Sequence, residues 1–357
     1  MATNPLYETP PAYMGYVGFV EIDGNIVRAT SADIKLTQEI TKTDVVDGRI
    51  DRTIFGLGPQ EVGGSIAFPA IYDNSIGGTT TIANLWEKVC QRKGDGTLFD
   101  FSVLIKYAEG GVYNSSVFNY DRCIMNSMQF SVTNGDNMNV TADIIGLTRT
   151  QPLNTSINPP GNSVAQDNAR VVTWADSRME LQPGDRPERQ FGWVHPTTGD
   201  LYIGGQHIRS YEVNVNNNAE RFYTLNRALF AQAVAPSKRD VTGNIVFLGR
   251  IPSLSDAAFS NENFAYEDSK ILFGFQPSAN FISDTPVDQN TFIRELPNVV
   301  FQIEEMSITN NLFETTVQWH SLPAARITAD PLEPTSETTD PLLRDASGDL
   351  TPTIASS

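Results

Sequence analysis

The stretch from Arg239 to Arg250 reads RDVTGNIVFLGR, and from Gln60 to Ile71 the chain reads QEVGGSIAFPAI. In both, a charged residue and Val lead through Gly into a polar residue and then Ile-X-Phe. Ile66 and Phe68, like Ile245 and Phe247, are expected in a core, and the Gly is expected at a bend or a close backbone approach. The neighbouring sequence decides between coincidence and a module used twice, because a duplication keeps its spacing as well as one word. DIKLTQEI begins at Asp33 and EVNVNNNAE at Glu212, each 29 positions before Val62 and Val241. Upstream, IDGNIVRAT from Ile22 matches IGGQHIRSY from Ile203. Downstream, DFSVLI from Asp100 answers SKILFGF from Ser269, and SVTNGDNMNVTADI from Ser131 answers SITNNLFETTVQW from Ser307. Blocks that recur in one order with small indels predict one module present twice.

Most blocks alternate apolar and polar residues, the period of a strand with one face on a core. Ile34 and Leu36 oppose Asp33, Lys35 and Thr37, and Val213 and Val215 oppose Glu212, Asn214 and Asn216. In the closing strands Met138, Val140, Ala142 and Ile144 point inward, with Phe313, Thr315, Val317 and Trp319 in the corresponding places. Asn134-Gly135 and Asn310-Asn311 supply residues that tolerate the positive φ of hairpin turns. Each unit is therefore mainly antiparallel β.

One helix is expected in each unit. Ile82, Leu85, Trp86, Val89 and Cys90 recur at i, i+3, i+4, i+7 and i+8, with Thr81 as a cap; this stripe packs on a sheet. The second helix is placed at LSDAAFSNENF from Leu254, capped by Ser253 or Ser255. Residues 151–191 are rich in Pro, Asn, Gly and Ser and read as a linker without regular structure. Residues 324–357, rich in Pro, Thr and acid, read as an extended or disordered tail.

The 357 residues suit two domains, and 42 acidic against 25 basic residues give a net charge of −17. That charge repels nucleic acid and anionic membranes over most of the surface. The first residues, MATNPLYETPPAYM, carry neither the basic nor the apolar region of a secretion signal, and no apolar run approaches the roughly 18 residues of a membrane span. The expectation is a soluble protein without membrane partners, made in a reducing cytosol where Cys90 and Cys123 stay free.

The sequence offers no catalytic constellation. His195, His207 and His320 are scattered, with no metal-binding spacing. Phosphate loops and nucleophile elbows are missing too. TNGDNMN at Thr133 lacks the Glu that closes a calcium loop and reads as a hairpin turn. Glu304 and Glu305 are adjacent on a strand and do not converge as an acid/base pair. SKRD at Ser237 reads as a solvated loop or a contact to an acidic neighbour. No enzyme, metal or cofactor is expected. Two long insertions, QEITKTDVVDGRIDRTIFGLGP and NNAERFYTLNRALFAQAVAPSKR, carry Val45, Val46, Ile54, Phe55 and Leu57, and Phe222, Leu225, Leu229 and Phe230. A lone loop cannot bury these, so they point to partner contacts.

The order of GNIVRATSADIKLTQEI, long loop, EVGGSIAF, helix IANLWEKVC, FSVLIKY and SMQFSVTNGDNMNVTADI resembles the tail tube proteins of long-tailed bacteriophages. The resemblance covers residues 15–150 and, more loosely, 192–322. It implies tandem β-sandwich or β-barrel domains at 15–150 and 192–323, each with one flanking helix, between an N-terminal arm (1–14) and the C-terminal tail. It also implies a structural virion protein, made in the host cytoplasm, whose copies stack as rings. Most members are single-domain subunits of hexameric rings; two fused units imply a trimer with pseudo-sixfold symmetry. Expected partners are further copies of the chain, the tape measure and tail-end proteins, and DNA passing through the lumen. The long loops, with the apolar residues named above, would bridge ring to ring. The polar strand faces would line the lumen: Asp33, Lys35, Thr37, Asn139, Thr141 and Asp143, then Glu212, Asn214, Asn216, Glu314, Thr316 and Gln318. Alternation alone leaves the outer solvated surface as the other place for these faces. The rival reading of the strands is a two-domain carbohydrate-binding β-sandwich protein.

Overall fold

The computed structural model describes residues 19–23, 25–43, 54–72, 79–93, 97–109, 114–150, 155–156, 170–182, 193–194, 201–202, 208–225, 229–248, 270–275, 292–309 and 312–321. In chain order the first half contains β1 (Phe19–Ile22), β2 (Asn25–Val27), β3 (Ser31–Thr43), β4 (Ile54–Pro69), β5 (Ile71–Tyr72), α1 (Thr79–Cys90), β6 (Phe101–Glu109), β7 (Asn114–Thr133), β8 (Asn139–Gly146) and β9 (Thr148–Thr150). Next come β10 (Thr155–Ser156), β11 (Arg170–Val171), β12 (Ser177–Gln182), β13 (Trp193–Val194) and β14 (Leu201–Tyr202). The rest comprises β15 (Ile208–Asn216), β16 (Glu220–Phe222), β17 (Ala233–Ala235), β18 (Asp240–Leu248), β19 (Lys270–Phe275), β20 (Phe292–Pro297), β21 (Val299–Thr309) and β22 (Leu312–Ser321). The fold is mainly antiparallel β, as the alternation predicts.

One antiparallel ladder runs β3-β4-β8-β7-β15-β18-β22-β21. Its first four strands come from the first half of the chain, its last four from the second, and β7 against β15 is the joint. The registers on the two sides correspond. Ile34 pairs with Gly64 across β3 and β4, and Val213 with Gly243 across β15 and β18. A bulge interrupts β7 against β8 between Met125 and Ser127, and another interrupts β21 against β22 between Phe301 and Ile303.

Strand β7 serves two layers. Its first half pairs with β6, which continues to β1 and β2; from Ile124 it enters the ladder. Arg122, with φ of 52°, marks that transfer, and Asn298, also at 52°, stands between β20 and β21. A left-handed residue lets a strand turn without leaving extended pairing on either side, and Asn adopts it more readily than Arg. In the second half the outer layer is the sheet β12-β19-β20.

Most apolar residues of the ladder share one face, with Ile145, Val246 and Leu248 among the exceptions. Ile34, Val62, Ile66, Phe68, Val140, Ala142, Ile144, Val213, Val215, Val241, Ile245, Phe247, Val317 and Trp319 are all buried. Against that face lie α1 and the outer sheets. Ile82, Leu85, Trp86, Val89 and Cys90 of α1 are buried as their spacing predicts. The Trp86 ring meets Phe130 of β7 at 5.8 Å and Phe273 of β19 at 5.3 Å, both edge-on, so the helix joins the halves of the chain.

Some expectations differ from the structure. The helix starts at Thr79, so Thr81 lies inside it and is not the cap. Residues 170–182 fall within the expected linker yet form β11 and β12. There Asp176, fully buried, accepts hydrogen bonds from Arg170 at 3.0 Å and from the Thr173 amide and hydroxyl, fixing the turn that leads into β12. The Pro-rich composition around NPPGN hid this short Asp-centred turn. The second expected helix, the N-terminal arm, the C-terminal tail, His195, His207, and Asn310-Asn311 lie outside the described residues.

Candidate assembly surface

The ladder brings the expected polar residues together. Asp33 lies opposite Ser65, Ser65 opposite Asp143, and Asp143 opposite Ser127; Ser127 in turn faces Asn216 across the joint. Residues directly opposite in a ladder share a face. By the same pairing Lys35, Thr37, Asn139, Thr141, Glu212, Asn214, Glu314, Thr316 and Gln318 stand on that face, away from the apolar core. All are exposed or half-buried.

Charge on this face is mixed and held in pairs. Lys35 approaches Asp33 at 3.4 Å, and Arg209 pairs with Glu314. Ser127 donates to Asp143 at 2.6 Å, and Asn244 donates to Glu212 at 3.3 Å. Arg221 enters from β16, donating to the Val62 carbonyl and lying 3.5 Å from Glu61. Asp33, Lys35, Asp143 and Arg221 line one groove there.

Sequence reading missed Arg221, Asn217 and Arg239. Gly63 is the signal for Arg221: a Cβ at Gly63 would meet the guanidinium at 2.8 Å, whereas Thr242 stands in the matching place of the Arg239–Arg250 stretch. Asn217 is fully buried and donates to the carbonyls of Val89 in α1 and Met125 in β7, at 2.8 and 3.1 Å. Arg239, in the basic SKRD cluster, donates to the Cys90 carbonyl at 2.8 Å. A cation at the last carbonyls of a helix opposes the negative end of its dipole. The target of SKRD therefore includes a helix end, which pattern reading of the loop did not suggest.

The second long loop rests on the first half of the ladder. The Gln60 amide donates to the Leu229 carbonyl at 2.6 Å, and the Tyr223 hydroxyl donates to Glu61 at 3.1 Å. Its apolar residues remain largely outward: Phe222, Leu225 and Leu229 are exposed, Leu225 completely, and Phe230 is half-buried. Leu57 is exposed as well. Ile54 and Phe55 belong to β4, while Val45 and Val46 lie outside the described residues.

At this face burial, and then the hydrogen bond to Glu61, raises Tyr223, and the largest shifts belong to groups in the core. Burial, and then Asp121, pushes the Cys123 thiol up to about 12. Burial raises Tyr211, whose hydroxyl donates to the Gly274 carbonyl at 3.1 Å. Among the described residues no group of three or more His, Cys, Asp or Glu could hold a metal ion, and no helix is long and apolar enough to cross a membrane.

A family model described as phage tail tube protein matches residues 9–299. No curated protein matches the chain.

Proposed function

Because the chain belongs to the phage tail tube protein family, a structural and non-enzymatic family whose members assemble into the tube of the virion tail, we propose that it forms stacked rings of three copies with pseudo-sixfold symmetry around a channel for DNA. The observation that carries this reading is the ladder. Two four-stranded units stand side by side in one order, and the pairing of β7 with β15 joins them edge to edge. At the ends, β3 pairs only with β4 and β21 only with β22 among the described residues. A flat exposed edge invites pairing with another chain, and closing a ring removes both edges at once.

The orientation of the ring follows from bulk. Helix α1 and the outer sheets all lie on the core face, and the layer with more material fits the larger circumference of a closed ring. The polar face is then the inner wall, with Asp33, Lys35, Thr37, Asn139, Thr141, Asp143, Glu212, Asn214, Asn216, Glu314, Thr316 and Gln318 toward the lumen. Free cations there would hold DNA through phosphate neutralisation and counterion release. The pairing of Lys35 with Asp33, Arg221 with Glu61 and Arg209 with Glu314 limits that retention. Exposed Leu57, Phe222, Leu225 and Leu229 form the apolar part of the ring-to-ring contact, joined by Val45, Val46, Ile54, Phe55 and Phe230. The units are assigned to 15–150 and 192–323. Tape measure and tail-end proteins bind the tube, which is built from chains made in the host cytoplasm.

Reversing charge at Asp143 and Glu314 together, each to Lys, tests the inner wall. Tubes should form at normal length while DNA delivery slows. Normal delivery through intact tubes would place this face elsewhere.

A further inference from the structure

The joint inside the chain is a template for the joint between chains. It sets Asn214 opposite Gln129, Val213 opposite Phe130 and Glu212 opposite Ser131. Each of these residues has a counterpart at a free edge, fixed by register. Val213 pairs with Gly243 as Ile34 pairs with Gly64, so Asn214 corresponds to Lys35. Gln129 lies opposite Thr141, which lies opposite Ala67; Glu305 lies opposite Thr316, which lies opposite Val246. Ala67 and Val246 hold the same place in the two Gly-X-Ile-X-Phe stretches, so Gln129 corresponds to Glu305.

We propose that β21 of one copy adds to β3 of the next in the register of the β7–β15 joint, which sets Lys35 directly opposite Glu305 of the neighbouring copy. This inference rests on the ring reading above and names the pair that fixes how the ring closes. The internal joint carries neutral Asn214 and Gln129 at this place, and there the covalent chain and the buried Asn217 already fix the register. Two separate chains lack that tether. Antiparallel strands slip unless something opposes it, and directly opposed charges contribute where they attract and cost where they repel. β3 against β3 with Lys35 opposite itself sets cation against cation; β21 against β21 centred on Glu305 sets acid against acid. Only the head-to-tail pairing, which closes a ring, sets Lys35 against Glu305. Among the described residues of one chain, the ion pair of Lys35 is the exposed, 3.4 Å contact with Asp33, a pair weak enough to exchange for a second partner.

The test uses the full-length protein and measures the critical concentration for assembly by sedimentation and electron microscopy. Lys35→Glu and Glu305→Lys should each raise it about tenfold, and the double reversal should return it to within about threefold of the unaltered protein. Circular dichroism checks that each variant keeps its β fold. Folded single variants that assemble normally, or a double variant no better than the singles, would overturn the register while leaving the ring intact. An independent pair, Lys35→Cys with Glu305→Cys, should oxidise in assembled tubes to covalently linked chains, ending at three. Well-formed rings without that cross-link would overturn the register too. If the unaltered protein forms no rings, the ring reading falls and this inference with it.

Discussion

A Cβ placed at Gly64 would lie 1.7 Å from the carbonyl oxygen of Asp33, and Gly64 has φ of 155°. Gly243 repeats the relationship, 2.1 Å from the Glu212 carbonyl, with the Trp319 ring 2.3 Å away on the next strand. At these two places the paired strands press backbone on backbone. Gly64→Ala and Gly243→Ala should each cost on the order of 3 kcal/mol, since neither the carbonyl nor the buried indole can move aside cheaply. Gly135→Ala should cost only about 1 kcal/mol, because that turn glycine has positive φ but open space around it. Urea midpoints of the three variants check the order.

Asn217 ties α1 to the bulge of β7. Replacing it by Ala leaves the carbonyls of Val89 and Met125 buried without this donor, a loss of about 2–3 kcal/mol. Asn217→Asp should be worse than Asn217→Ala, because it adds an acid beside carbonyl oxygens at the negative end of a helix. Thermal unfolding of both variants measures the ranking.

Arg221 fastens the second long loop to β4. Arg221→Ala should leave global stability within about 1 kcal/mol, because the pair with Glu61 is partly solvated. Cleavage of residues 217–239 in limited proteolysis should rise, because their anchor to the Val62 carbonyl is gone. Gly63→Val should reproduce that cleavage by occupying the place of the guanidinium.

Cys90 and Cys123 are both buried, and neither should react with a thiol reagent at pH 8 until the chain unfolds. The Cys123 thiol, raised from an ordinary value near 9 to about 12, holds its proton in the fold after the unfolded chain has lost it. The unfolded state then binds fewer protons, so stability falls as pH rises from 9 toward 12. Tyr72 and Tyr211, raised chiefly by burial, act in the same direction. Urea midpoints between pH 8 and 10 should decline, with a shallower slope in Cys123→Ala.

The core strands were legible because period-2 alternation follows directly from one buried face. The stripe on α1 was legible for the analogous reason at period 3.6. Register was not legible: the repeated Gly-X-Ile-X-Phe word pointed to a strand used twice and to a Gly at a bend or close approach, but not to what each strand pairs with. The polar face could be listed residue by residue, yet nothing in alternation says what it faces. Asn217, Arg221 and Arg239 escaped because each acts through a backbone carbonyl distant in sequence, and a carbonyl leaves no mark on residue type. β11 and β12 escaped because one buried carboxylate, Asp176, organises a segment whose composition otherwise reads as loop. The edges β3 and β21 were recognised as strands, but their being the ends of one ladder emerges only from the topology.

Counting the chains in one ring tests the central claim most directly. Electron cryomicroscopy of the assembled tube should show rings about a hundred ångströms across, the scale of six β domains around a channel. Each ring should contain three chains, with three copies of the β3-to-β21 ladder forming a continuous inner wall. Six chains per ring, or an inner wall built from the outer sheets, would contradict the account.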